Sequence, residues 1–203
     1  MAQSSGINLT VTFSDHESGT CANTTQGQGI TFSTYMVPYT SVCFNLDDLF
    51  AENNHSGVIQ QGLALQSQPT NFSWSAFGNE NYDSQANYSQ LWYQQENVTG
   101  KIGAGQDAAR QLSVYSGRNC HSINGSEPRT LEPWFGWTCQ SEVGGQCDQV
   151  PISIQSFLIA DASSINSGYP KCWDAALMGE TSKATVPSVS IFSILSFAMI
   201  FLI

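Results

Sequence analysis

Apolar and polar residues alternate with a period of two along much of this chain. Ile7, Leu9, Val11 and Phe13 are separated by Asn8, Thr10 and Thr12. On an extended backbone those four apolar side chains share one face. Ile30, Phe32, Thr34 and Met36 repeat the pattern, then Val42, Phe44 and Leu46, then Phe72, Trp74 and Ala76. Leu91 with Tyr93, Leu112 with Val114, Val150 with Ile152 and Ile154, and finally Phe157 with Ile159 continue it. Clusters of Gly, Asn, Asp and Ser stand between these runs and supply turns. Many short alternating segments of this kind predict an all-β protein, an antiparallel sandwich or a Greek-key-like arrangement. Helical periodicity is scarce. Leu46–Phe50 predicts one short helical turn capped by Asn45 or Asp47, and Tyr82 to Tyr93 reads equally well as helix or strand.

A weak internal echo runs through the pattern. Val11-Thr12-Phe13-Ser14, then Cys21, then Cys43-Phe44-Asn45-Leu46 is matched by Ser113-Val114-Tyr115-Ser116, then Cys120, then Cys147-Asp148-Gln149-Val150. The expectation is a β ectodomain over 1–178, with two related β units at 1–50 and 107–178, each closed by its own disulfide and joined by 51–106. The six cysteines, Cys21, Cys43, Cys120, Cys139, Cys147 and Cys172, are even in number and contain no C-x-x-C, which disfavours a zinc knuckle or a dithiol redox site. Three disulfides in an oxidising compartment is the natural reading. Of the fifteen pairings that six cysteines allow, the preferred set is Cys21–Cys43, Cys120–Cys147 and Cys139–Cys172, the first two matching the two units of the echo.

Seven asparagines lie in N-x-[ST] sequons: Asn8, Asn23, Asn54, Asn71, Asn87, Asn97 and Asn124. That density exceeds chance and points to glycosylation. The alternation turns Asn8 and Asn71 away from the apolar face, where a bulky glycan has room. The C-terminus changes character. From Val189 to Ile203 it is apolar and uncharged, and a polar spacer with Glu180, Thr181, Ser182 and Lys183 precedes it. Small residues, then a spacer, then a hydrophobic tail form the layout of a glycosylphosphatidylinositol (GPI) attachment signal. Gly179 is the preferred attachment residue, with Asp174 and Ser182 as alternatives, and 179–203 is read as the signal. The tail falls short of the ~20 apolar residues of a spanning helix. Met1 to Gly6 has no apolar stretch like that of a signal peptide, so the expectation is that a presequence was trimmed and a Met placed at the new start.

Charge narrows the partners. Six Lys or Arg face sixteen Asp or Glu in 203 residues, a net charge of −10. The six cations are scattered singly, whereas nucleic-acid binding needs them clustered against phosphates. Neither nucleic acid nor an anionic membrane surface is an expected partner. The expected partners are the membrane, through the lipid anchor, and a cell-wall polysaccharide or host surface molecule.

Motifs for chemistry are few. Asp15-His16-Glu17 alternates faces on an extended segment, so no metal site is expected. No G-x-S-x-G occurs. Carboxylates for glycoside hydrolysis exist at Asp47, Asp48, Glu80, Asp83, Asp107, Glu132 and Glu142, but no pair is singled out. The glycine-rich Gly100-Lys101-Ile102-Gly103-Ala104-Gly105 lacks the Lys-Ser/Thr ending of a P-loop, and no cofactor is expected. Aromatic residues carry the binding hypothesis. Trp134-Phe135-Gly136-Trp137 is read as a loop between Cys120 and Cys139, and Tyr82 and Trp92 belong to a second cluster with Tyr88 and Tyr93. Exposed, these rings offer flat apolar faces to sugars; the alternative is that they pack in the core. Trp173 is expected to pack on the last disulfide.

Val114-Tyr115-Ser116-Gly117-Arg118-Asn119-Cys120 and the closing Ile154-Gln155-Ser156-Phe157 resemble segments of small cysteine-rich, GPI-anchored secreted proteins of filamentous fungi. The resemblance covers about 60 residues. Some of those proteins are similar to βγ-crystallin-type Greek keys, but this chain lacks a clear aromatic-x6-Gly pattern in both halves. The group shares no single activity, so the resemblance implies no catalytic residues. The expected function is that of a non-enzymatic surface or wall glycoprotein, extracellular and GPI-anchored, binding polysaccharide or a host molecule. The alternatives are a secreted hydrolase of wall glycans and an effector or toxin-like module.

Overall fold

The computed structural model describes residues 8–15, 21, 29–52, 55–62, 70–97, 100–122 and 132–178. Eleven strands and two short helices follow one another along them. In chain order these are β1 (Leu9–Asp15), β2 (Ile30–Thr34), β3 (Val42–Asn45), α1 (Leu46–Phe50), β4 (Ser56–Gln61), β5 (Thr70–Phe77), β6 (Tyr88–Gln94), β7 (Asp107–Tyr115), β8 (Trp134–Cys139), β9 (Gln146–Gln149), β10 (Ser156–Asp161), α2 (Ser163–Gly168) and β11 (Ala176–Met178). The strands form two sheets, ordered β4-β5-β2-β1-β6-β9 and β11-β8-β7-β10-β3. Each pairing is antiparallel. The all-β, antiparallel, disulfide-stapled sandwich expected from the alternation is the observed fold. Among the described residues no helix is long and apolar enough to cross a membrane.

The alternating apolar residues meet between the sheets. Leu9, Val11 and Phe13 of β1 are fully buried, as are Ile30 and Phe32 of β2, Leu112 and Val114 of β7, and Phe157 and Ile159 of β10. Four phenylalanines tie the two layers together. Phe157 lies 5.2 Å from Phe13, 5.0 Å from Phe32 and 5.2 Å from Phe44, ring centre to ring centre. Phe32 and Phe44 are 4.9 Å apart. Each buried ring is worth roughly 1.5–3 kcal/mol against leaving it in water, so this quartet is a main tie between the layers.

One end of the sandwich is polar. Arg110, on the inward face of β7, is fully buried. Its Nε donates to the Met36 carbonyl at 2.8 Å, one Nη to Gln95 Oε1 at 3.1 Å, and the other to the Tyr35 carbonyl. Gln95 Nε2 donates to Tyr93 Oη and to the Arg110 carbonyl, both at 2.9 Å. A buried guanidinium survives only if its donors are satisfied, and here they clamp the crossing from β2 to β3. Burial pulls the Arg110 pKa down to about 10, so the group is still charged at neutral pH. Burial likewise pushes the Tyr93 phenol well above its usual range.

Several expectations change. The disulfides are Cys21–Cys147, Cys43–Cys120 and Cys139–Cys172; only the third was anticipated. The first two each join the N-terminal part of the chain to the C-terminal part, with sequence separations of 126 and 77. Neither closes a local unit. Residues 9–34 supply two central strands of one sheet while β3 is an edge strand of the other, and the stretch 51–106 supplies β4, β5 and β6. The alternation at Val150, Ile152 and Ile154 is not a strand. Pro151 has no amide hydrogen, and the segment instead docks through Val150 N–H to the Ser89 carbonyl (2.9 Å) and Ile154 N–H to the Tyr88 carbonyl (2.8 Å). The ambiguous stretch resolves into a turn near 84–86 followed by β6. Leu46–Phe50 is helical as expected. The Asn45 side chain caps no helical N–H there; its Nδ2 donates to Asp48 and Asn119 instead.

Candidate functional site

The second sheet turns a row of aromatic rings outward. Phe135 and Trp137 of β8 point into the core, so Trp134, Gly136 and Thr138 lie on the opposite face. On β7, Tyr115 pairs with Trp134 and Ser113 with Gly136. Tyr115 and Trp134 stack with centres 5.5 Å apart and planes inclined by 22°. The segment after α2 then folds over the same face. Thr138 and Cys139 both donate their N–H to the Trp173 carbonyl, at 2.8 and 2.9 Å, and Trp173 N–H donates to Thr138 Oγ1 at 2.8 Å. These bonds, together with the Cys139–Cys172 disulfide, place the Trp173 indole over Gly136. A Cβ at 136 would stand 3.2 Å from Trp173 and 3.4 Å from Trp134, so glycine is what allows the two indoles to approach. Trp134 and Trp173 meet edge to face at 6.3 Å, and Tyr169 meets Trp173 edge to face at 5.5 Å.

The resulting ledge runs Tyr115, Trp134, Trp173, Tyr169. Tyr115 is buried, the two indoles are half-buried, and Tyr169 is 55% exposed. Burial raises the Tyr115 phenol pKa, opposed by a hydrogen bond with Ser113. Hydrogen-bonding groups border the rings. Ser116 Oγ donates to Glu132 Oε2 at 2.5 Å, and Gln111 Nε2 donates to Ser113 Oγ at 2.7 Å. Apolar ring faces edged by hydroxyl, amide and carboxylate groups suit a ligand with one apolar and one hydroxylated face.

Of the four aromatic residues offered from sequence as binding candidates, one belongs to this ledge. Trp134 does. Trp137 is fully buried, its Nε1 donating to Asp148 Oδ2 at 2.9 Å, so it offers no open face. Burial raises the Asp148 pKa, while hydrogen bonds from Gln146 and Trp137 oppose that rise. Trp92 is 4% exposed and lies against Gly145, whose missing Cβ makes room for its ring. Tyr82 is half-buried, stacked parallel to Tyr88 at 5.9 Å and packed on Phe50 at 6.4 Å. It lines a small cleft of about 220 Å³ with Asp47, Arg118 and Gln155. Arg118 there bridges Asp47 and Asp48, so two of the candidate carboxylates serve an ion pair. Tyr115, Trp173 and Tyr169 were not among the binding candidates, Trp173 being expected only to pack on the last disulfide. The signal that finds them is cross-strand register, which stays hidden while residues 134–139 are read as a loop.

Among the sequons, Asn8, Asn71 and Asn87 are exposed, and Asn97 is half-buried with its Nδ2 donating to the Asp107 carbonyl at 2.9 Å. Asn23, Asn54 and Asn124 lie outside the described residues, as do His16, Glu17 and the whole of 179–203 with Gly179 and Ser182. Asp174 is exposed and accepts from Gln146 Nε2 at 2.8 Å. All six cysteines are bonded, the mark of a protein that folds in an oxidising compartment. Among the described residues no three His, Cys, Asp or Glu side chains are grouped to hold a metal ion. Comparison with protein-family models, with curated proteins and with solved structures found no match.

Proposed function

We propose that this chain is a non-enzymatic glycoprotein of the cell surface or wall, held there by a GPI anchor and binding polysaccharide through the ledge of Tyr115, Trp134, Trp173 and Tyr169. The observation that carries the reading is the continuous row of rings on one sheet face, with spacings of 5.5 to 6.3 Å and an exposed end at Tyr169. A pyranose whose hydroxyls are equatorial presents C–H groups on both faces. Such a face stacks on an aromatic ring while its hydroxyl edge stays hydrogen-bonded to water or to bordering side chains. The net charge of −10 favours an uncharged glycan over an acidic one. Sequon density, the tail layout and three disulfides support the address.

The test is co-sedimentation of the full chain with insoluble chitin, β-glucan and cellulose. Trp134→Ala and Trp173→Ala are each expected to weaken binding tenfold or more, about 1.4 kcal/mol, with the sheets still folded by circular dichroism. Glu142→Gln and Asp48→Asn, exposed carboxylates outside the ledge, are expected to retain it. Unchanged binding in both tryptophan variants, or no binding by the parent chain, refutes the carbohydrate reading and leaves a coat role. Turnover of a glycan that is lost on a single carboxylate substitution makes the protein a hydrolase instead.

A further inference from the structure

We infer that the N-linked glycan of Asn87 is part of the fold, its first sugars seated in the cleft between residues 85–89 and 149–153. This rests on the reading that the chain passes through the secretory pathway. Asn87 and Ser89 of the sequon, with Gln85 and Ala86, form one wall of a cleft of about 470 Å³, a size that suits one or two sugar rings. Gln149, Pro151 and Ser153 form the facing wall. The cleft is preformed. Val150 is buried at its base, and the two walls are stitched together by the Val150-to-Ser89 and Ile154-to-Tyr88 backbone hydrogen bonds.

Its lining matches the chemistry of N-acetylglucosamine. Pro151 and Ile152 offer apolar surface to a ring face, while Gln85 and Ser153 bring amide and hydroxyl groups to the hydroxyls and the N-acetyl group. The Asn87 side chain is exposed and makes no hydrogen bond among the described residues, so its amide is available. The other described sequons differ. Asn8, just before β1, and Asn71, on β5, are exposed and line none of the described clefts, and the Asn97 nitrogen that would bear a sugar is turned onto the Asp107 carbonyl. Attachment at Asn87 forms one bond from Nδ2 to the anomeric carbon of N-acetylglucosamine. It breaks the bond from that carbon to the pyrophosphate of the lipid-linked donor and releases one amide proton. Once tethered, the sugar meets the cleft at an effective concentration in the millimolar range, so even a weak contact is populated. Because the cleft exists only in the folded chain, that contact stabilises the fold.

The experiment expresses the full chain behind a signal peptide in a glycosylating host. It measures site occupancy by peptide mass spectrometry, release of each glycan by peptide-N-glycosidase from the native protein, and the melting temperature. Asn87 is expected to be occupied and released more slowly than Asn8 and Asn71. Asn87→Gln is expected to lower the melting temperature by about 2–4 °C, with Asn8→Gln and Asn71→Gln leaving it unchanged. Should Asn87→Gln not be secreted, enzymatic trimming answers the same question: a single remaining N-acetylglucosamine should keep the stability that complete removal loses. An unoccupied Asn87 beside occupied Asn8 and Asn71 overturns the inference. So does an Asn87 glycan released as fast as theirs with no thermal effect. If no sequon is occupied, the surface-glycoprotein reading falls with it.

Discussion

Replacing Cys43 and Cys120 together by alanine tests the long-range stapling of the sandwich. Cys43 is exposed on edge strand β3 and Cys120 is half-buried, so the double variant removes little packed apolar volume. What remains is the loss of a cross-link across a separation of 77 residues. On the chain-entropy account such a loop is worth about 4.5 kcal/mol, against about 3.7 kcal/mol for a 33-residue loop. For a chain of this size that corresponds to a fall in melting temperature of roughly 9–18 °C. Urea denaturation of the double variant, beside the matching variant of Cys139 and Cys172, measures both values. A loss below about 1 kcal/mol refutes the argument that this bridge constrains the unfolded chain. The pairing itself has a separate assay. Trypsin cuts after Lys101, Arg118, Arg129 and Lys171, so under non-reducing conditions the observed bonds leave fragment 1–101 covalently joined to both 119–129 and 130–171. Bonds closing local units would release 1–101 as a free fragment with an internal disulfide. Finding it free overturns the pairing.

Two further substitutions probe local packing and charge. Gly145 has φ of +88° and its missing Cβ is filled by the Trp92 ring; Gly145→Ala should cost about 1–3 kcal/mol in urea denaturation, and a change under about 0.5 kcal/mol would show that the 142–146 turn relaxes freely. Asp148 has its pKa raised by burial, so the folded state holds this proton to higher pH than the unfolded chain does. Its contribution to stability therefore falls as pH rises from 3.8 through the raised folded value. Asp148→Asn keeps an acceptor for the Trp137 indole and removes the titration. Its stability relative to the parent should rise across that window and level off above it, and a pH-independent difference refutes the assignment.

Much of the fold was legible because side-chain alternation reports directly on burial in a half-buried strand. Leu9, Val11, Phe13, Phe32, Phe72, Leu112, Val114, Phe157 and Ile159 all read as inward and all are buried. The edge strands β4 and β9 were not legible, although the edge strand β3 was. β4 reads Ser-Gly-Val-Ile-Gln-Gln and β9 reads Gln-Cys-Asp-Gln; nearly all their side chains are exposed or half-buried, so neither carries a run of alternating apolar residues. The reverse error occurred at Val150 to Ile154, where apolar alternation reports burial beneath a neighbouring turn and not a ladder. Disulfide pairing lay beyond local reading for a related reason. β1 is flanked by β2 and by β6, so residues distant in sequence become neighbours in space, and cysteines pair by that neighbourhood.

The candidate site shows where strand assignment decides function. Trp134 and Trp137 look like one aromatic motif only if the chain there is a loop. In β8 they are three residues apart, and an odd separation on a pleated strand sends two side chains to opposite faces. One of the pair had to enter the core, and Trp137 did, with Phe135 beside it and Asp148 receiving its N–H. The same parity then selects the partners of Trp134. Tyr115 is its cross-strand neighbour, Gly136 clears the space two residues on, and Trp173 fills that space from a segment held by the Thr138 hydrogen bonds and the Cys139–Cys172 bridge. The ledge is thus assembled from β7, β8 and a stapled return segment, of which only β8 announces itself as aromatic. A reading that places β8 correctly would predict the loss of Trp137 from the surface and the gain of Tyr115 in the same step.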